Sequence, residues 1–303
     1  MTRVELLVGA RGGRFPFSNC LLVEDGGVKV LVDSGCGRDM LMRVKGIVDY
    51  IVYTHHHPDH ISGYHIVEGA PCYSPQGEEP YKTIEDLGRR FASTSYREWI
   101  NMATSLIGLA KVPRCMYYTP GEDLCIRGLC LKTISAPGHL QTHTLIDIDG
   151  HLHITDIDLT SFGPWYANPE SDPLAFLSDI IMVYHTNFKR LTTSHKDKVY
   201  SPDEAREALR SYALKLLETM ETVHGSLGEE PLRPEDLAGR GLIYRRYLPG
   251  FEAIMRYFET SMIKKILHIL DSMGCTTRTR MGYTLRDCSW LETFREKILS
   301  RLY

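Results

Sequence analysis

The sequence predicts an α/β fold, and three observations support this prediction. Val28–Asp33 and Ile47–Val52 are short runs rich in valine and isoleucine, which is typical of buried strands. Arg38–Val44, between them, has the length and composition of a short helix, so the three segments form a strand–crossover–strand unit. Residues 201–303 lack such strand runs for most of their length and show helical periodicity. We therefore expect a sheet-containing domain followed by a mainly helical C-terminal extension.

Composition narrows the class of protein. The chain has 303 residues, of which 43% are hydrophobic and 24% charged, as in ordinary globular proteins. The net charge of −3 gives no basic field that would attract nucleic acid or a membrane surface. The first apolar run is broken by Gly9 and Arg11, unlike a signal peptide, and no apolar stretch approaches the length of a transmembrane helix. We expect a cytoplasmic protein without a membrane partner.

The eight cysteines show no Cys-x-x-Cys motif and no dense framework. In a cytoplasmic protein such cysteines are expected to be reduced core residues. The sequence leaves open an internal disulfide of the kind found in thermophiles.

A histidine cluster follows the strand Ile47–Val52. The stretch Tyr53–His60 contains four imidazoles and a carboxylate within six consecutive residues. Neutral imidazole and carboxylate are the preferred ligands of zinc and related divalent metals. The alternative is a solvated loop whose histidines bind nothing. The density of donors favours a metal site.

Two further polar groups follow β-type runs. Pro137 and Gly138 mark a tight turn that leaves His139 on a loop, and His143 competes with it as a ligand. We interpret His143 as a residue behind the ligands that orients them or the substrate. A hairpin then ends at Asp156, whose two carboxylate oxygens could bridge two metals. Asp158, on the same side of the strand, is the alternative ligand; His151 and His153 are predicted to face solvent.

The spacing His55-x-His57-x-Asp59-His60 resembles the signature of the metallo-β-lactamase-fold hydrolases. The family's other motifs follow in its usual order, with Thr155 and Ser194 standing where glycine is usual. The matching residues are Asp33 in Leu-Val-Asp-Ser-Gly, the 55–60 cluster, His139 in Pro-Gly-His, Asp156 and His195. The resemblance covers about residues 1–200 and implies a catalytic domain built as a four-layer αβ/βα sandwich, with metals at one edge of its sheets.

The resemblance also implies two divalent metal ions per chain. Each is held by three side chains, and Asp156 bridges them. The first set is His55, His57 and His139, and the second is Asp59, His60 and His195. Asp33 supports the metal loop through hydrogen bonds, and the ring of His56 points away from the metals. Ligation by histidine and aspartate alone suits zinc, with iron, manganese, cobalt or nickel as alternatives.

The implied activity is hydrolysis of ester-type bonds in a small-molecule substrate by a hydroxide that the two metals share. Phosphoesters, lactones, thioesters and carboxylic esters are the candidate substrates, and Asp59 would both ligate and orient the nucleophile. One alternative is a mono-iron dioxygenase of the persulfide type, which resembles the same motif set. Another is a hydrolase that processes nucleic acid with the C-terminal segment as its binding module.

Other segments are candidates for shaping the pocket. A helical insertion at about residues 81–111 either borders the pocket or simply covers the sheet. Trp165 and Tyr166 follow Gly163-Pro164 on a rigid loop, where they would form a pocket wall or anchor the loop in the core.

Residues 201–303 are predicted to form a separate C-terminal domain. Its helices, with a small hairpin at Thr276–Leu285, resemble the winged-helix-like tails of some family members. Arg278 and Arg280 suggest contact with nucleic acid, but basic composition alone is weak support. We favour the alternative that these basic residues form a solvated face. The domain would then be a lid, or a dimerisation module through which two chains form a homodimer.

Overall fold

Two β-sheets form the centre of the protein in a computed structural model that describes residues 2–302. In the first sheet the strands lie in sequence order, antiparallel up to β3 and parallel from β3 onward. Its strands are β1 (Arg3–Leu7), β2 (Cys20–Asp25), β3 (Val28–Val32), β4 (Tyr50–Val52), β5 (Cys72–Pro75) and β6 (Met116–Tyr118). The predicted crossover is present, because helix α1 (Arg38–Val44) joins the parallel strands β3 and β4.

The second sheet has five strands in the order β11-β10-β9-β8-β7. They are β7 (Leu124–Ile126), β8 (Leu129–Ser135), β9 (Thr144–Ile148), β10 (His151–His153) and β11 (Arg190–Thr192). Neighbours are antiparallel except β10 and β11, which are parallel.

The sheets pack face to face, because their strands alternate apolar side chains between two faces. Val32 and Val52 of the first sheet share a buried cluster with Leu131 and Ile146 of the second. The opposite faces, including Leu31 and Leu152, belong to a larger cluster that contains the helices' apolar residues. Among these helices are α1, α6 (Pro173–His185) and α7 (Pro202–Gly225). The predicted αβ/βα sandwich is confirmed.

Residues 81–111 are mostly helical. After the short helices α2 (Pro58–Ile61) and α3 (Tyr64–Val67) come α4 (Ile84–Ala92), α5 (Tyr96–Asn101) and a π-helical segment, Met102–Ile107. Thr83 begins α4 because its hydroxyl accepts from Asp86 N over 3.1 Å, while the Asp86 carboxylate accepts from Thr83 N over 2.9 Å.

The C-terminal segment is helical apart from one hairpin, as predicted. After α7 it contains α8 (Pro234–Leu237), α9 (Glu252–Ser272), β12 (Thr276–Arg278), β13 (Tyr283–Leu285) and α10 (Ser289–Arg301). Its buried residues join the larger apolar cluster of residues 1–200. The domain division at residue 200 and the winged-helix-like character stay predictions. Within residues 2–302, no helix has both the length and the apolar character needed to cross a membrane.

The prediction that all cysteines are reduced is wrong for six of them. Disulfides join Cys72 to Cys115, Cys125 to Cys130 and Cys275 to Cys288, whereas Cys20 and Cys36 are free and buried. Strand pairing brings the partners together, because Cys125 and Cys130 lie opposite each other on β7 and β8. Cys72 lies on β5, and Cys115 immediately precedes its neighbour β6.

Candidate metal centre

All seven predicted ligands meet at one edge of the two sheets. His55, His57, Asp59 and His60 lie beyond the end of β4, the last two on the short helix α2. Three loops from the second sheet complete the cluster, each following the end of a strand. His139 follows β8, Asp156 follows β10 and His195 follows β11. Every residue of the cluster is buried except His195, which is partly buried.

The first group of donors consists of His55, His57, His139 and Asp156. His57 Nδ1 lies 3.0 Å from His55 Nε2 and 2.9 Å from His139 Nε2. Asp156 Oδ2 lies 3.1 Å from His139 Nε2 and 3.5 Å from His55 Nε2. Four donor atoms thus converge on one point.

The second group consists of Asp59, His60 and His195. The Asp59 carboxylate lies 3.5 Å from His195 Nε2. Asp156 Oδ1 lies 2.9 Å from His60 Nε2 and 3.4 Å from His195 Nε2. Asp156 therefore directs one oxygen at each group, which is the position of a bridging ligand.

The outward-facing nitrogen of three histidines is engaged by an acceptor. His60 Nδ1 donates to Asp33 Oδ2 over 2.8 Å, His139 Nδ1 to the carbonyl of Trp165 over 3.0 Å, and His195 Nδ1 to the carbonyl of Gly13 over 2.8 Å. These bonds hold a proton on each Nδ1, so that each Nε2 is the nitrogen that would offer its lone pair to a metal ion at the centre.

The donors fit a divalent metal because their lone pairs face one another. The Thr54 hydroxyl donates to Asp33 over 2.8 Å and so accepts from His55 Nδ1, which leaves His55 Nε2 without a proton. His55 Nε2 and His139 Nε2 then both face His57 Nδ1, which has at most one proton to share. His60 Nε2 and Asp156 Oδ1 are buried without a hydrogen-bond partner, because their close approach is not aligned for one. A cation would satisfy all of these atoms.

Burial and charge set the protonation states. Burial lowers the pKa of His57 to about 3 and that of His55 well below its usual range, which keeps both imidazoles neutral. Burial alone would raise the pKa of Asp156, but His60, His139 and His195 hold it well below its usual range. Asp156 is therefore ionised and ready to ligate.

Residues behind the ligands support their loops. Buried Asp33 also accepts from Thr54 N over 2.9 Å, which ties β3 to the start of the histidine cluster. His143 Nδ1 donates to the carbonyl of Ala136 over 2.9 Å, so its Nε2 accepts from the hydroxyl of Thr155. Thr155 has a φ of 45°, a region that β-branched residues rarely adopt. Its bond to His143 helps to hold the backbone that presents Asp156.

The structure places the remaining polar candidates away from the donor groups. His56 is buried with its ring turned away from both groups, and its Nε2 lies 2.8 Å from Ser74 Oγ. Asp158 borders the adjacent cavity but belongs to neither group. The prediction that His151 and His153 face solvent is wrong: both are buried and each ring lies 3.0 Å from Thr192 Oγ1. Strand β11 pairs with β10 along this stretch and supplies that threonine.

A cavity of about 950 Å³ opens onto both donor groups. Trp165 lines it, whereas Tyr166 is 1% exposed and lies in the core, outside the cavity wall. The sequence reasoning missed Asn168, whose side-chain amide contacts His57 Nε2, and the wall residues Tyr244 and Phe258. Asn168 follows Trp165 on the same loop. Tyr244 and Phe258 lie far along the chain, in the loop before α9 and on α9 itself, and no local sequence pattern marks them as wall residues.

Comparison with known proteins agrees with this architecture. A family model described as the metallo-β-lactamase superfamily matches residues 13–71. No curated protein matches the sequence significantly. A metallo-β-lactamase family protein from Thermus thermophilus is 19% identical, with 93% of this chain and 98% of that chain covered and a TM-score of 0.70.

Two other solved structures have the same fold. A β-lactamase domain protein from Burkholderia ambifaria is 19% identical, with 94% and 91% of the two chains covered and a TM-score of 0.62. A stereoselective inverting sec-alkylsulfatase from Pseudomonas sp. is 14% identical, with 84% of this chain but 47% of that chain covered and a TM-score of 0.54. The protein therefore has the metallo-β-lactamase fold, and its resemblance to that superfamily is confirmed.

Proposed function

We propose that this protein is a metal-dependent hydrolase that cleaves ester-type bonds in small molecules. The observation that carries the proposal is the position of Asp156, whose two oxygens face two separate donor groups. Two divalent ions per chain fit this arrangement, and zinc is the first candidate because the donors are imidazoles and carboxylates.

When bound, two such metals would activate a water molecule at neutral pH and polarise the oxygen of a substrate. The chain's own residues would orient the attacking water and shield the site from bulk solvent. Asp59 borders the cavity, so its carboxylate can accept a hydrogen bond from the attacking water and orient it. Trp165 lies beside both His57 and His139, with ring centroids 5.8 and 6.0 Å away, and excludes bulk water from that side.

The cavity supports a small-molecule substrate, since its volume is within the usual range for such sites. Phosphoesters, lactones, thioesters and carboxylic esters are the classes to test. The sec-alkylsulfatase that shares the fold adds alkyl sulfates to this panel.

Elemental analysis of the purified protein, followed by a panel of chromogenic esters, tests the proposal. We expect two divalent metals per chain. His57→Ala and Asp156→Ala should each lose at least one metal and nearly all hydrolysis, because each removes a donor. His65→Ala is the matched control, since His65 is exposed and its Nδ1 bonds to the carbonyl of Ser62 in its own turn.

Turnover that persists in both site variants would overturn this assignment. A single iron per chain would instead favour the dioxygenase. Binding to nucleic acid that weakens steeply between about 50 and 200 mM salt would favour the nucleic-acid alternative. The expected homodimer stays a prediction, which sedimentation can test.

A further inference from the structure

The cavity in front of the metal centre has a basic side and an apolar side. The basic side carries Arg11, Arg14 and Lys196, and the apolar side carries Trp165, Met255 and Phe258. These two sets border different donor groups, so the two ends of a bound molecule would meet different surroundings.

The basic side adjoins His195. Arg11 and Arg14 flank Gly13, whose carbonyl accepts from His195 Nδ1, and Lys196 directly follows His195 in the chain. Asn19 ties the two loops together, because its side chain accepts from Gly9 N over 2.9 Å and donates to the carbonyl of Lys196 over 2.8 Å. The backbone that carries the three cationic side chains is therefore held near the second donor group.

These cations lack carboxylate partners. Across residues 2–302, no aspartate or glutamate lies within 4.0 Å of the charged atoms of Arg11, Arg14 or Lys196. Asp158 and Asp197 also line the cavity, but neither forms an ion pair with them. Arg11 has a φ of 59°, and a backbone strained in this way outside glycine tends to occur at functional sites.

The apolar side adjoins His57 and His139. The ring of Trp165 packs against Phe258 with centroids 5.2 Å apart, and its Nε1 donates to the hydroxyl of Tyr244 over 2.7 Å. Phe162 packs against Tyr244 in turn, with centroids 5.3 Å apart. This wall joins the loop after Asp156 to the C-terminal segment and presents aromatic surface to the first donor group.

We propose that the substrate is an amphiphilic anion: an ester-type molecule with an extended apolar body and an ionised group. This inference rests on the proposed function and specifies its substrate. The guanidinium groups of Arg11 and Arg14 bind the carboxylate, phosphate or sulfate of the substrate, because such groups pair bidentately with oxyanions. The apolar body lies along Trp165 and Phe258, so the scissile bond is placed between the two donor groups.

Calorimetric binding of decyl sulfate to the metal-loaded protein tests the inference without turnover. Its matched probes are 1-decanol, which lacks the charge, and methyl sulfate, which lacks the apolar body. We expect decyl sulfate to bind at least about tenfold more tightly than either, with an affinity that falls as salt is raised.

Substitutions on each side of the cavity test which side binds the charged group and which binds the apolar chain. Arg11→Gln combined with Arg14→Gln should weaken decyl sulfate binding about tenfold or more and leave 1-decanol binding unchanged. Met255→Ala should weaken both long-chain probes. Arg3→Gln and Met281→Ala are the controls, because Arg3 lies on β1 away from the cavity and Met281 is 71% exposed on the C-terminal hairpin.

Equal affinity for decyl sulfate and 1-decanol, or unchanged binding in the double arginine variant, would overturn the inference. These outcomes are distinct from failure of the proposed function. Selective binding of decyl sulfate without hydrolysis of any ester would refute the hydrolase and leave the amphiphile site standing. Hydrolysis of esters without preference for anionic ones would support the hydrolase and refute the amphiphile site.

Discussion

Lys265, on α9, donates from Nζ to the carbonyl oxygen of Ser171 over 2.6 Å. The same ammonium contacts the carbonyls of Tyr166 and Asn168. It therefore anchors the loop in which the Trp165 carbonyl accepts from His139 and the Asn168 amide contacts His57. A helix of the C-terminal segment thus helps to position ligands that belong to the first 200 residues.

Replacing Lys265 should loosen the metal centre from a distance. Lys265→Met leaves three carbonyls without their donor, so we expect a loss of about 1–3 kcal/mol in the free energy of unfolding and weaker metal binding. Urea denaturation and metal titration measure the two effects. Lys264→Met is the control, because Lys264 is the exposed neighbour on the same helix. Unchanged metal affinity in Lys265→Met would show that the loop holds its position without this contact.

The same lysine should make stability depend on pH. Burial lowers the pKa of Lys265 to about 8, below its value in the unfolded chain. Between pH about 8 and about 10.4 the unfolded chain therefore binds more protons at this residue, so the free energy of unfolding rises with pH. We expect the wild type to gain stability relative to Lys265→Met across this interval in chemical denaturation. A difference that stays constant or shrinks over that range would contradict the expected shift.

Removing the carboxylate behind His60 should weaken metal binding without removing a ligand. Asp33→Asn exchanges the acceptor of His60 Nδ1 for an amide, so the ring loses the charge that orients it and raises its basicity. We expect metal affinity to fall by about 10- to 100-fold in competition with a chelating dye. Asp123→Asn, at an exposed position, should bind metal as the wild type does. A wild-type affinity in Asp33→Asn would mean that His60 is oriented by other contacts.

The disulfides should differ in their contribution to stability. Cys72 and Cys115 are separated by 43 residues, whereas Cys125 and Cys130 are separated by 5. Because a cross-link restricts the unfolded chain more when it closes a longer loop, the first should contribute about 4 kcal/mol and the second about 2 kcal/mol. Double alanine variants of each pair, compared by denaturation under oxidising conditions, test this order. Equal losses in the two variants would argue against the loop-closure explanation.

The motif residues could be identified from the sequence because their chemistry is local. The run His55–His60 follows a strand whose valine and isoleucine content is itself a local signal, and His139, Asp156 and His195 each follow another strand end. The order of these motifs matches that of the metallo-β-lactamase-fold hydrolases, and this resemblance implied that the seven donors meet at one edge of the sheets. Asp33 was assigned its supporting position from the same resemblance, and His143 was assigned one from its place four residues after His139.

Other features depend on pairs of residues that lie far apart in the chain. The sequence does not show that Cys72 faces Cys115, that Thr192 Oγ1 contacts the rings of His151 and His153, or that Lys265 reaches the carbonyl of Ser171. Tyr166 and Trp165 are neighbours of similar chemistry, yet only packing against Phe258 and Tyr244 decides which of them lines the cavity.

By itself, then, the sequence determined the α/β architecture and, through its match to the motifs of the metallo-β-lactamase-fold hydrolases, the donors of the metal centre, because periodicity and motifs are both local patterns of residues. The tertiary structure decided the disulfides, the support that α9 gives to His57 and His139, and the two-sided cavity beside them. Those features arise from contacts between segments up to 182 residues apart, whose free energy exists only once the sheets and helices have packed.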